Sequence, residues 1–329
     1  MKLLLASFLL SAASALPAQQ QATTLFTLAK SADVVVIATA IAASDPSVDF
    51  HRMEFHTDQV LKGSAGESFA ILEPAGRCCG RALSAMTIGD QVIAFLDYRG
   101  PGLHPLGGSR GISLATPEIV AHVRQLLAAQ NQKSYGEILA SGLSNPDQRV
   151  RIDAALALAA LPSTRLGATA NQQILSALQI ELQAASASLP AMIDATVRFL
   201  GDAAATTLVQ SLLTTDDDSV SNLMTRGLAK LSGDSVHQSL MVAALPNPLA
   251  QQRACELAAC IPNAMSLPML RILLTQSPRV ALAASEALLA NGVSAESIAP
   301  LTDSEVLKVA VERHSQLPKL RVVGKGNRQ

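Results

Sequence analysis

The sequence predicts a two-domain α+β protein, a small Greek-key β-barrel followed by an all-α solenoid of paired helices. Three observations carry this reading. Up to about residue 130, β-branched and aromatic residues fall in short runs separated by Gly/Pro clusters. From Ser134 onward, Ala/Leu/Val runs at helical spacing recur about every 30 residues. The chain is 49% hydrophobic but only 3% aromatic, which favours closely packed helices over a β-sandwich throughout. A length of 329 residues suits two domains. With 25 Lys+Arg against 26 Asp+Glu, bulk charge offers no grip on nucleic acid. The apolar content excludes a disordered chain.

The first segment, residues 1–18, reads MKLLLASFLLSAASALPA. Lys2 precedes the apolar run Leu3–Leu10, and small residues and a proline follow. That order is a secretory signal peptide with cleavage expected after Ala15 or Ala18. The run falls short of the ~20 apolar residues a membrane span needs. The mature protein is therefore expected in the periplasm or outside the cell. Export places the four cysteines where disulfides persist. Cys78 and Cys79 are adjacent, and either form a vicinal bridge or pair with distant partners. Cys255 and Cys260 lie about 140° apart around a predicted helix, which an ideal helix does not bridge. Fraying before Pro262 relaxes that objection, and the alternative is that both are small buried hydrophobes.

The β-domain spans residues 19–130. Thr23–Ser31 is a short helix, and Ala32–Ser44 (ADVVVIATAIAAS) reads as a strand. In Val48–Gly63 the alternation puts Val48, Phe50, Arg52 and Glu54 on one face and Asp49, His51, Met53 and Phe55 on the other. Ser68–Pro74, Asp90–Tyr98 and Arg110–Thr116 supply three more strands. The separators Gly63–Gly66, Pro74–Gly80 and Arg99–Gly111 are turns, and Pro117–Gln130 closes the region as a helix with proline at its start. Five strands with irregular loops fit an OB-type barrel. The order ADVVV, VLKG, Cys-Gly, GDQVIAFLD resembles a common exported bacterial β-domain. Through Cys79-Gly80, Gly89 and Val92–Leu96 it is more distantly similar to the netrin/tissue-inhibitor-of-metalloproteinases fold. Those inhibitors carry their inhibitory cysteine at the mature N-terminus, where this chain has none, so inhibition does not carry over.

The solenoid spans residues 131–317, with about six helical pairs. Asn145–Pro162, Asp218–Leu231, Asn247–Pro262, Pro278–Ala290 and Asp303–Leu317 share one form: a Pro, Asp or Ser suited to a helix start, then Ala/Leu/Val at helical spacing. Val150, Val220, Ala250, Val280 and Val309 mark equivalent positions, and the gap after Val150 requires a further unit around Leu189–Leu200. Partner helices are expected at Gln172–Ala184, Ala203–Thr214, Ser235–Ala244 and Met265–Thr275. The form of Asp147–Arg151 with the run that follows it resembles HEAT repeats, which implies an α-solenoid that serves as a surface. Residues 318–329 form a basic tail.

Chemical motifs are few. Gly107–Gly111 matches G-x-S-x-G with Ser109 at its centre, but a nucleophile elbow needs a strand, a sharp turn and a helix, and here a strand is expected after the motif. His51, Glu54 and His56 invite a metal reading, yet on a strand His51 and His56 take opposite faces. His104 and the Cys78/Cys79 loop do not complete a set, and His237 and His314 have no partner at a recognised spacing. Asp216–Asp218 lacks the alternating ligands of an EF-hand and sits where a helix needs a cap. No cofactor, metal or catalytic residue is assigned. The expectation is an exported, non-enzymatic interaction scaffold that holds a protein partner on its solenoid, with no nucleic acid and no membrane span. The rivals are an inhibitor of an exported protease acting through the β-domain and an envelope serine hydrolase using Ser109.

Overall fold

The computed structural model describes residues 23–47, 50–74, 83, 86–99, 102–184 and 186–316. The expected signal peptide (residues 1–18), Cys78, Cys79, Gly80 and residues 318–329 lie outside the described residues. An antiparallel sheet is followed by a long series of helices, an α+β layout. The chain divides into two compact units at 179/180.

The first unit opens with helix α1 (Leu25–Ser31) and builds a sheet from β1 (Val34–Ser47), β2 (Phe50–Lys62), β3 (Ser68–Pro74), β4 (Gln91–Arg99), β5 (Gly102–Pro105) and β6 (Ile112–Leu114). The order is β3-β2-β1-β4-β5, and β6 pairs with the other half of β4. Val34, Val36, Ala38 and Ala40 of β1 join Met53, Phe55, Ile71, Val92, Ala94 and Leu96 in one buried cluster. The alternate residues Val35, Ile37, Ile93 and Phe95 are buried as well, so the central strands are covered on both faces. This explains why ADVVVIATA reads as a continuous apolar run rather than an alternation. In β2, Met53 and Phe55 turn inward while Phe50 is exposed, which makes the His51 face the core face.

Two expectations for the sheet are corrected. A sixth strand, β5, lies in a stretch expected to be only turn; four residues with Gly102 and Pro105 at the ends carry no β signal of their own. The expected closed barrel is an open sheet: among the described residues no ladder joins β3 to β5 or β6. β5 is short, and Pro74 and Pro105 bring no N–H to a closing pair.

Helix α2 (Pro117–Ala128) starts at the Thr116 cap with Pro117 behind it, and packs on α1 and on α3 (Gln132–Gly142) and α4 (Gln148–Ala160). The division at 179/180 falls within α5 (Ala168–Ala184), so the first helical pair belongs to the same compact unit as the sheet. The second unit continues with α6 (Leu189–Leu200), α7 (Ala205–Thr214), α8 (Asp218–Leu228), α9 (Gly233–Val242), α10 (Pro248–Cys260), α11 (Leu267–Leu273), α12 (Pro278–Ala290), α13 (Ala295–Ile298) and α14 (Ser304–Gln316). The unit required between Val150 and Val220 is present as α6 with the expected bounds.

Four of the second helices, α4, α8, α10 and α14, start at a side-chain cap, whereas α6 and α12 start without one. Asp147, Asp217 and Asn247 accept from backbone amides at the starts of α4, α8 and α10, and Asp303 does so for α14. Counted from the N-cap residues Asp147, Asp217, Asn247 and Ser277, Val150, Val220, Ala250 and Val280 fall on the same buried position. Val309 does not: it is 37% exposed, and the residue in phase is Val306, followed one turn later by the buried Ala310. The Asp303 cap fixes the phase of α14, and its Ala/Val run reads equally well three residues out of register.

Candidate functional site

Where β1 and β2 run past the core, their ends and Leu83 and Met86 enclose a cleft of about 230 Å³. His51 Nδ1 lies 2.5 Å from Asp45 Oδ1 across the hairpin, and Arg52 pairs with Glu54 at 2.5 Å. On the neighbouring strand Glu73 stands opposite His51 in the β2/β3 register. Glu73 is buried and accepts the Leu83 N–H at 3.0 Å. Met53 and Leu83 make the apolar floor. The carboxylate of Asp45 holds Nδ1 of His51, and both residues line the cleft. The cleft therefore sets a polar pair over an apolar base.

The other sequence candidates do not join it. Glu54 and His56 lie on the opposite face of β2, and His56 is exposed beside Ser68 in the β2/β3 register. His104 stands on β5 opposite Asp97. Among the described residues no group of three His, Cys, Asp or Glu converges on one point. Ser109 lies in a 3-10 turn, Gly108–Gly111, with β5 before it and β6 after it. The helix a nucleophile elbow requires does not follow.

In the second unit, Asp217 of the Asp216–Asp218 run is the cap of α8, accepting from Ser219 and Val220. Cys255 and Cys260 are both free thiols; Cys255 is fully buried and Cys260 exposed. Burial, with Glu256 beside it, pushes the Cys255 thiol up to about 12 and raises Cys260 too, so neither is a ready nucleophile. His237 is fully buried on α9 and its Nε2 reaches the carbonyl of Ile261 at 2.5 Å, tying α9 to the end of α10. His314 is exposed in the last turn of α14.

Three polar groups, Arg253 and His122 buried and Asp153 partly buried, have structural roles that sequence reasoning did not single out. Arg253, inside the Ala run of α10, is held by Asp218 from α8 and by Glu256. Asp153 of α4 accepts the Leu25 N–H at 3.0 Å and lies 3.7 Å from Arg149. His122 of α2 is buried against Gly142 of α3. Their signal was a polar residue at a position where the helical period calls for an apolar one, as at His122 between Ile119 and Leu126.

Comparison with protein-family models and with curated proteins returns no match for this chain.

Proposed function

We propose that this chain is an exported, non-enzymatic protein-interaction scaffold, an OB-like β-domain followed by a HEAT-like solenoid that holds a protein partner. The observation that carries the reading is the regular array of helical pairs in the second unit. Each pair is too small to bury its own apolar face, and stacking neighbours make one continuous core. Bonds spanning one repeat support it: Asp202 accepts from the Ser232 amide, Asp234 accepts from the Asn263 side chain, and Asn291 accepts from the Asn263 amide. The sheet order β4-β1-β2-β3 matches a Greek key, and OB folds are partly open Greek-key barrels. Export rests on the sequence of residues 1–18.

The partner surface is placed on the first helices of successive pairs. Val242 of α9 is 81% exposed and Ile272 of α11 is 66% exposed, thirty residues apart in the chain, with Met241 also exposed. Apolar groups left uncovered at equivalent repeat positions suit an interface. The test is a crosslinking pull-down from the native envelope fraction with the full mature chain as bait. A cut at residue 130 is unsuitable because Asp153 holds α1. A defined protein retained by wild type and lost with Val242→Asp/Ile272→Asp is expected. Equal retention by both baits moves the surface elsewhere, and loss of an esterase signal in Ser109→Ala overturns the non-enzymatic reading.

A further inference from the structure

A second cleft, of about 250 Å³, opens in the first unit among α1, the end of β2, α2 and α3. Its apolar side is Ala29, Leu61, Leu126 and Leu127. Its aromatic wall is Phe26 and Tyr135, packed edge to face with ring centroids 5.1 Å apart. The rim carries two lysines. Lys62 Nζ donates to the carbonyls of Ala29 and Lys30 at 3.2 and 3.1 Å, which fixes it at the C-terminal end of α1. Lys30 Nζ sits 5.9 Å over the Phe26 ring. No Asp or Glu is among the lining residues, and among the described residues neither lysine has a carboxylate partner. An ammonium brings three donors and no acceptor; Lys62 uses two on the Ala29 and Lys30 carbonyls and, among the described residues, Lys30 donates none, so donor capacity remains at a cleft without acids.

We propose that this cleft binds a carboxylate carried on a short apolar or aromatic stem, the anion at Lys30 and Lys62 and the stem against Phe26, Tyr135 and Leu126. The reading is independent of the solenoid surface. Charge complementarity selects the anion, since a cation would meet two ammonium groups. The aromatic wall and leucine floor select the stem, in the usual manner of small-ligand sites with a few polar groups over an apolar lining. A free small acid and the C-terminal residue of a peptide share this chemistry.

The chain has two tyrosines and no tryptophan, so Tyr98→Phe leaves Tyr135 as the fluorescent reporter inside the cleft. In that background 3-phenylpropionate is titrated against 3-phenylpropanamide, alongside a short peptide ending in phenylalanine with a free or an amidated terminus. Saturable change with the acid and none with its amide is expected, weakened roughly tenfold by Lys30→Glu. Lys30 is exposed and bonds no backbone through its side chain among the described residues. Because it lies in the last turn of α1, Lys30→Gln, which removes the charge without reversing it, is run beside Lys30→Glu and should weaken acid binding too, with both folds checked by circular dichroism. Tighter binding of the free-terminus peptide identifies a peptide source; tighter binding of 3-phenylpropionate identifies a free acid. No saturable change up to about 10 mM acid or peptide, equal binding of acid and amide, or indifference to Lys30→Glu overturns the proposal.

Discussion

At Gly142 the backbone of α3 passes so close to α2 that a Cβ would stand 2.8 Å from Cε1 of His122 and 3.1 Å from the Ala154 methyl. The imidazole is sealed in, its Nε2 has no partner, and burial pushes its pKa down to about 4. In the unfolded chain the same ring titrates near 6.5. The folded pKa is therefore the lower one: the folded state suffers no penalty above pH 6.5 and loses stability as the pH falls from there towards 4, by at most about 3 kcal/mol. Urea midpoints at pH 7.5 and pH 4.5 should show that loss in wild type and a smaller one in His122→Leu. An equal acid loss in both proteins would mean that other groups carry the acid sensitivity. Gly142→Ala should cost about 1–3 kcal/mol at either pH, because the ring has nowhere to retreat. At this scale the sequence is half legible. His51 stands out as a chemistry-bearing residue, but its hold on Asp45 depends on how the hairpin turns back. His122 sits on the apolar face of α2, and nothing local says that its nitrogen goes unpaired.

Among the elements, α1 has seven residues, too few to persist alone in water. Its ends are tied from both sides. The Thr24/Thr27 capping box and the Asp153 carboxylate meet the N-terminal amides, and the Lys62 ammonium meets the C-terminal carbonyls. Negative charge at the start and positive charge at the end both suit the helix dipole. Asp153→Ala should therefore lower stability by about 1–2 kcal/mol, and amide exchange in Leu25–Ser31 should quicken more than in α6–α8. Uniform quickening would show a general loss of stability instead. The helix itself is legible in the sequence as Thr23–Ser31, against the observed Leu25–Ser31. Its partner is 128 residues away and is not. The same contrast runs through the fold. Helical pairs announce themselves through caps and period, which are local, whereas β5 and the open edge of the sheet depend on pairings that four residues and two prolines do not encode.

On the scale of the whole array, each stack must resist sliding as well as separation, and an Ala-rich interface offers little directional grip. In the second unit that grip comes from side chains in the turns between pairs. Asn291, at the end of α12, accepts the Asn263 N–H at 2.7 Å and donates to the Ala258 carbonyl at 3.0 Å and to its own helix at Ala287 at 2.8 Å. It thereby satisfies one carbonyl in the last turn of α10 and an amide in the loop that follows. Asn263 passes the connection on, donating to Asp234 in the pair before. A chain of bonds each one repeat long means that a break at one link should be felt by its neighbours first. Asn291→Ala leaves the Asn263 amide and the Ala258 carbonyl without their partner, an expected cost of about 2–3 kcal/mol. Asn291→Asp is the sharper test, because it keeps the acceptor for the Asn263 amide but replaces the donor with a charged oxygen facing two carbonyls. If the donor side carries the link, Asn291→Asp should destabilise at least as much as alanine at neutral pH, with faster amide exchange in α10 and α12 before α6 and α7. Stability close to wild type in the aspartate variant would assign the link to the acceptor alone.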